Sequence, residues 1–189
     1  MKITQNKSLA LCVLLIALMA ATRMHHFGTS LHLPDASLAA FLLAGFLVAS
    51  PLLFGALLVE AAAIDYVAII QMGVSDYCVT PAYGFLLPTY AVMWFAGRYL
   101  ARVQQNNLRG LGLFAAISLL AVNVAFIISN GSFYLFSGNF TKMGVVEYAT
   151  RVMQYYVPSV SGVLIYLVPA IMLYVLLARR YDPSVTHAG

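Results

Sequence analysis

The stretch Ser75-Asp76-Tyr77-Cys78-Val79-Thr80-Pro81-Ala82-Tyr83 places an acid, a thiol, two phenols and a helix-starting proline between two long apolar runs. Cys78 is its most reactive side chain. Free cysteine often serves as a small buried hydrophobe, but beside Asp76, Tyr77 and Thr80 a thiolate would act as a soft metal ligand or a nucleophile. Asp76 opposes ionisation of that thiol, so a cation must assist, and Arg151 or His26 is the candidate. His25 and His26 are adjacent, which turns their rings to different sides, so at most one enters a site. Asp65 and Glu60 are carboxylates inside an apolar run, where an ionisable group is costly unless it meets a cavity or a partner. Five residues apart, they lie about 140° around a helix and do not share a face. Asp65 stands nearer the loops and is the better site candidate, whereas Glu60 reads as a packing residue.

The elements that must position these groups are membrane helices. The chain has 189 residues, 62% hydrophobic and 8% charged, against the roughly half apolar and quarter charged of ordinary globular domains. Several runs approach the roughly 20 apolar residues that cross a bilayer. The expected fold is an all-α integral membrane protein, one domain over 1–189, with six spans at about 8–22, 36–49, 52–70, 83–100, 111–128 and 158–178. A polar tail follows at 179–189. The first run also has the shape of a signal peptide, with "ALMAAT" as a small-residue cleavage site; keeping it as a span gives an even count.

Local signals refine this plan. Asp35 or Ser37 caps the second helix, and Ser50-Pro51 breaks the chain before the third, with Pro51 in a first helical turn. The Ala- and Gly-rich spans 2 and 3 suit a closely packed hairpin. Pro88 is expected to kink span 4. Residues 129–141 read as a Gly/Ser/Asn loop interleaved with aromatics, and 142–156 as an amphipathic helical segment.

Lysine and arginine set the orientation. With both termini cytoplasmic, Lys2, Lys7, Arg98, Arg102, Arg109, Arg179 and Arg180 lie inside and Arg23, Lys142 and Arg151 outside, seven against three. The net charge of +4 is thus a topology signal and calls for no nucleic-acid partner. The orientation gathers His26, Asp65, Asp76, Cys78, Tyr83, Glu147 and Arg151 at the outer side. Tyr66, Tyr77, Tyr134, Tyr148, Tyr155 and Tyr156 join them, either as an interfacial belt or as the lining of a pocket for a large planar ligand. No Walker A loop, HExxH, GxSxG or CxxC occurs, so the chain has no ATP site of its own.

Two blocks, "HHFGTSLHLPDASLAAFLLAGFL" at 25–47 and "SDYCVTPAYGFLLPTYAVMWFAGR" at 75–98, resemble the BtuM family of predicted bacterial cobalamin transporters. That family is related to the substrate-binding S-components of energy-coupling factor (ECF) transporters. The resemblance implies a six-helix bundle in the cell inner membrane that binds cobalamin (vitamin B12) in a cavity open to the periplasm. Cys78 matches the family's cobalt ligand, and His26, Asp65, Tyr83 and Arg151 match the other pocket residues, with His25 the alternative to His26. A thiolate on one axial face of cobalt favours the base-off form and loosens a cyanide on the other, an accessory decyanation. S-components carry an Ala-xxx-Ala pair near the cytoplasmic side for docking an energising module. Here Ala17 and Ala21 lie nearer the outer end, so transport with such a module and solitary transport both stay open.

The same residues allow another reading, a membrane cysteine peptidase or transpeptidase. Cys78 would be the nucleophile, His26 the base and Arg151 the oxyanion stabiliser. It lacks a third group to orient the histidine.

Overall fold

A computed structural model describes residues 5–23, 33–77, 79–105 and 107–181. Its elements are α1 (Gln5–Arg23), α2 (Ser37–Leu43) with a π-helical turn (Ala44–Val48), α3 (Pro51–Met72), a 3₁₀ turn (Pro81–Phe85), α4 (Leu86–Val103), α5 (Leu108–Phe136), α6 (Val145–Met153) and α7 (Tyr156–Tyr181). No strand occurs among the described residues. Helices thus occupy all six stretches expected to be helical spans. Three are long and apolar enough to cross a membrane, at Pro51–Met72, Leu108–Phe136 and Tyr156–Leu177.

The bundle is organised around α2, which is apolar on every side and buried accordingly. Ala39, Ala40, Phe41, Leu42 and Ala44 have no exposed surface. Phe41 stacks on Tyr90 of α4, centroids 4.3 Å apart, and meets Phe54 of α3 edge-on. Phe46 in the π turn reaches Phe114 of α5 and Tyr174 of α7. At the start of α2, Tyr166 of α7 donates to the Pro34 carbonyl at 2.5 Å. Cys12 is half-buried against the same core.

The close helix pair differs from the expected hairpin of spans 2 and 3. It is α2 with its π turn that packs backbone-to-backbone on α4. A Cβ on Gly97 would lie 2.0 Å from the Leu42 carbonyl oxygen, and one on Gly45 would lie 2.1 Å from that of Trp94. Two glycines facing each other's helix permit this approach, and no Ala-rich surface could replace them.

Several boundaries are corrected. Pro88 does not kink a helix interior: α4 begins at Leu86 after the 3₁₀ turn, so Pro88 sits in a first turn, where a missing N–H leaves no bond broken. The internal proline is Pro169, in α7. Ser129 to Phe136 continue α5 and are not a loop. Two of their polar side chains bond back to their own helix, Asn130 Nδ2 to the Phe126 carbonyl (2.9 Å) and Ser132 Oγ to that of Ser129 (2.9 Å). The amphipathic segment is helical over Val145–Met153, and α7 continues to Tyr181, three residues into the expected polar tail.

Ser50 caps α3 as anticipated, accepting from the Leu53 N–H ahead of Pro51. At α2 neither Asp35 nor Ser37 takes the cap position: Ala36 does, without a side-chain bond, and Asp35 one residue earlier accepts from the Ser37 N–H at 2.9 Å. Between α2 and α3 the chain reverses through Ala49, whose φ of 57° places an alanine in the left-handed region. Ala17 and Ala21 are exposed on α1, toward its Arg23 end.

Candidate ligand-binding site

The C-terminal ends of α1, α3 and α5 and the start of α4 converge at one end of the bundle. Arg23, the last residue of α1, is the hub there, its side chain only 11% exposed. Its Nε donates to Asp65 Oδ1 at 2.8 Å and its Nη2 to Asp65 Oδ2 at 2.6 Å, a two-pronged pair joining α1 to α3. Its Nη1 donates to the Tyr90 hydroxyl oxygen at 2.8 Å and to Ser37 Oγ at 3.0 Å, and lies 3.4 Å from Asp35 Oδ2. Ser37 Oγ in turn donates to Asp35 Oδ1 at 2.6 Å. One guanidinium therefore fastens α1 to α2, α3 and α4.

Tyr83, in the 3₁₀ turn opened by Thr80 and Pro81, completes the cluster. Its hydroxyl donates to Asp65 Oδ2 at 2.8 Å. The direction follows from the partners: a carboxylate held by a guanidinium only accepts, so the phenol supplies the proton.

Above this cluster lies a half-open cavity of about 660 Å³. Arg23, Asp65 and Tyr83 form one wall, while Asn130 and Phe133 of α5 and Tyr148 and Arg151 of α6 contribute others. Its aromatic side is continuous. Tyr148 packs on Tyr134 (4.7 Å) and Phe140 (4.8 Å), Phe140 on Phe133 (5.5 Å), and Phe133 on Tyr77 (5.6 Å). The Tyr148 hydroxyl donates to the Asn130 carbonyl at 2.9 Å, and burial pushes that phenol above its ordinary range. Arg151 is exposed and pairs with Glu147 one helical turn away at 2.8 Å.

A second cavity of about 400 Å³ flanks the first, between Ile69 of α3 and the residues Asp76, Val79 and Tyr83. Asp65 and Tyr83 line both cavities. The partition between them includes one hydrogen bond.

Of the residues singled out in the sequence, Asp65, Tyr83 and Arg151 line one cavity. His25, His26 and Cys78 lie outside the described residues, although Tyr77 and Val79, the neighbours of Cys78, line the first and second cavities respectively. Glu60 is not hydrogen-bonded into the cluster, its two carboxyl oxygens enclosed without a direct partner there, although the charge of Arg23 reaches it. Among those residues no group of three His, Cys, Asp or Glu side chains could hold a metal ion.

The residue missed was Arg23, counted only as a loop charge. A signal was present: a carboxylate within an apolar run demands a partner, and Arg23 is the cation closing the preceding helix on the same side. The cavity's chemistry is now specific. It offers an aromatic flank for a large apolar body, amide and guanidinium donors on α5 and α6, and an acceptor-rich wall on α3 and the 3₁₀ turn. No protein-family model and no curated protein sequence matches the chain.

Proposed function

We propose that this chain binds cobalamin at the cavity end of the bundle and carries it across the bacterial inner membrane. In this reading six helices span the bilayer, both termini are cytoplasmic, and the cavity opens to the periplasm. The observation that carries it is the meeting of Asp65, Tyr83 and Arg151 in one aromatic-flanked cavity, bordered by a neighbour of Cys78. Tyr83 falls within a sequence block that resembles the BtuM family, Asp65 lies within the expected third span, and Arg151 joins them from α6. A corrin ring is wide and apolar across its faces and fringed with amides, which matches a site that combines aromatic rings with separate donor and acceptor walls.

Cys78 is the proposed axial ligand of cobalt, since thiolate sulfur suits a polarisable transition metal. The step with cyanocobalamin is a ligand exchange. The Cys78 proton passes to solvent, a cobalt–sulfur bond forms as the tail's nitrogen leaves, and the opposite cyanide departs with its electron pair, the cobalt oxidation state unchanged.

The test uses purified full-length protein mixed with cyanocobalamin while the corrin absorption spectrum is followed. A spectral change with wild type that Cys78→Ala abolishes supports the assignment. An unchanged spectrum with wild type, or the same change with Cys78→Ala, refutes it. Expression in a host lacking cobalamin uptake then separates the two transport modes: growth on cobalamin from this chain alone means solitary transport, and growth only with an ECF energising module means coupled transport.

A further inference from the structure

Asp65 is not free to choose its hydrogen-bond role. Oδ1 accepts from Arg23 Nε, and Oδ2 accepts from both Arg23 Nη2 and the Tyr83 hydroxyl. A guanidinium offers only donors, so both Asp65 oxygens facing Arg23 act as acceptors. The carboxylate commits the proton of Tyr83, and the phenol oxygen keeps only lone pairs to offer a ligand. Arg23 itself is heavily engaged, with Nε, Nη1 and Nη2 all donating to protein acceptors. Among the described residues, with Asp35 3.4 Å from Nη1, the cluster pairs two carboxylates with one cation.

We propose that Arg23 is a positioning residue that makes this wall of the cavity an acceptor surface, so that the site selects ligands presenting neutral amide N–H groups and rejects the corresponding carboxylates. The inference rests on the cobalamin-binding role above and deepens it by naming the ligand group that the wall reads. A primary amide directed at Asp65 and Tyr83 gives its N–H to a waiting oxygen. A carboxylate at the same place has no proton to give and faces an excess of negative charge. Arg151, the cation on the α6 wall, belongs to a different part of the cavity lining and is paired with Glu147.

The ligand pair that tests this differs by one group: cobalamin, and cobalamin monocarboxylates in which one peripheral amide has been hydrolysed to the acid. Dissociation constants are measured by equilibrium dialysis against full-length protein in detergent, with corrin absorbance as the readout. Wild type binds cobalamin about 10- to 100-fold more tightly than the monocarboxylate altered at the wall-facing amide, the range expected for losing a hydrogen bond to a charged acceptor. Arg23→Gln brings that ratio to within about twofold of unity, because the two-pronged pair that fixes Asp65 and the Tyr83 hydroxyl toward the cavity is lost. Arg23→Lys restores most of the ratio by keeping a cation on Asp65, which a purely structural role for the guanidinium fork would not do.

Should Arg23→Gln fail to fold, Tyr83→Phe reads the same wall and lowers the ratio below half the wild-type value. Equal binding of cobalamin and every monocarboxylate by wild type overturns the inference while leaving cobalamin binding intact. An undiminished ratio in Arg23→Gln, or Arg23→Lys behaving as Arg23→Gln, overturns it as well. Absence of cobalamin binding by wild type removes the underlying role and the inference together.

Discussion

Replacing Gly97 by alanine drives a wedge into the centre of the bundle. The new Cβ would stand 2.0 Å from the Leu42 carbonyl oxygen and 2.8 Å from the Phe46 nitrogen, both backbone atoms of α2 and its π turn, which lie among α1, α3, α4 and α7. Side chains turn aside cheaply, but a helical backbone does not, so α2 and α4 must part by about 1 Å, enough to forfeit a substantial share of the dispersion energy along their contact. Overpacking of this kind costs about 1–3 kcal/mol, and the rigidity of both partners puts Gly97→Ala at about 2–3 kcal/mol. For a chain of this size that lowers the melting temperature by roughly 4–12 °C.

An internal control has the opposite sign. Gly112, in the first turns of α5, has nothing within 4 Å of a built Cβ, so Gly112→Ala gains about 0.5–1 kcal/mol from helix propensity alone. The assay is thermal unfolding in detergent followed by fluorescence of Trp94, the single tryptophan of the chain, which lies one turn from Gly97 and packs on Phe54. A Gly97→Ala protein within about 0.5 kcal/mol of wild type, or no less stable than Gly112→Ala, would refute the close-packing argument.

Other outcomes follow from the same structure. Ala49 sits at φ 57° and ψ 23°, so Ala49→Gly relieves left-handed strain and raises stability by roughly 0.5–1 kcal/mol in the same unfolding assay. Arg151→Ala breaks only an exposed pair and changes stability by less than about 0.5 kcal/mol, yet it weakens cobalamin binding measured by dialysis. Tyr148→Phe loses the bond to the Asn130 carbonyl and costs about 1 kcal/mol. Because the folded state raises the Tyr148 phenol above its ordinary 10.0, the unfolded chain releases that proton first. Stability therefore declines as pH climbs from the ordinary value toward the folded one, and Tyr148→Phe makes that decline shallower in denaturant titrations.

The long apolar runs were legible because hydropathy is a local property, and α3, α5 and α7 follow it closely. What escaped was non-local. Ser129, Asn130 and Ser132 carry the composition of a loop, yet the Asn130 and Ser132 side chains satisfy themselves on carbonyls four and three residues back, and α5 continues unbroken past them. Gly45 and Gly97 each look like ordinary small residues, and only their mutual approach reveals that α2 belongs against α4. Asp65 was preferred over Glu60 on position alone, and the structure separates them for a different reason, the presence of Arg23. That pairing spans 42 residues of chain, a distance over which no periodicity or spacing rule operates.

The same separation bears on how the protein is made. Arg23 leaves the ribosome with its helix, Asp35 follows 12 residues later, Asp65 after 42 and Tyr90 after 67. At roughly 5–20 residues per second the guanidinium waits about 2–8 s for its main carboxylate. Until then Asp35, 12 residues on, and water are the partners within its reach. The Arg23–Asp65 pair thus closes only once α3 has been made. Its closure ties together helices that leave the ribosome seconds apart.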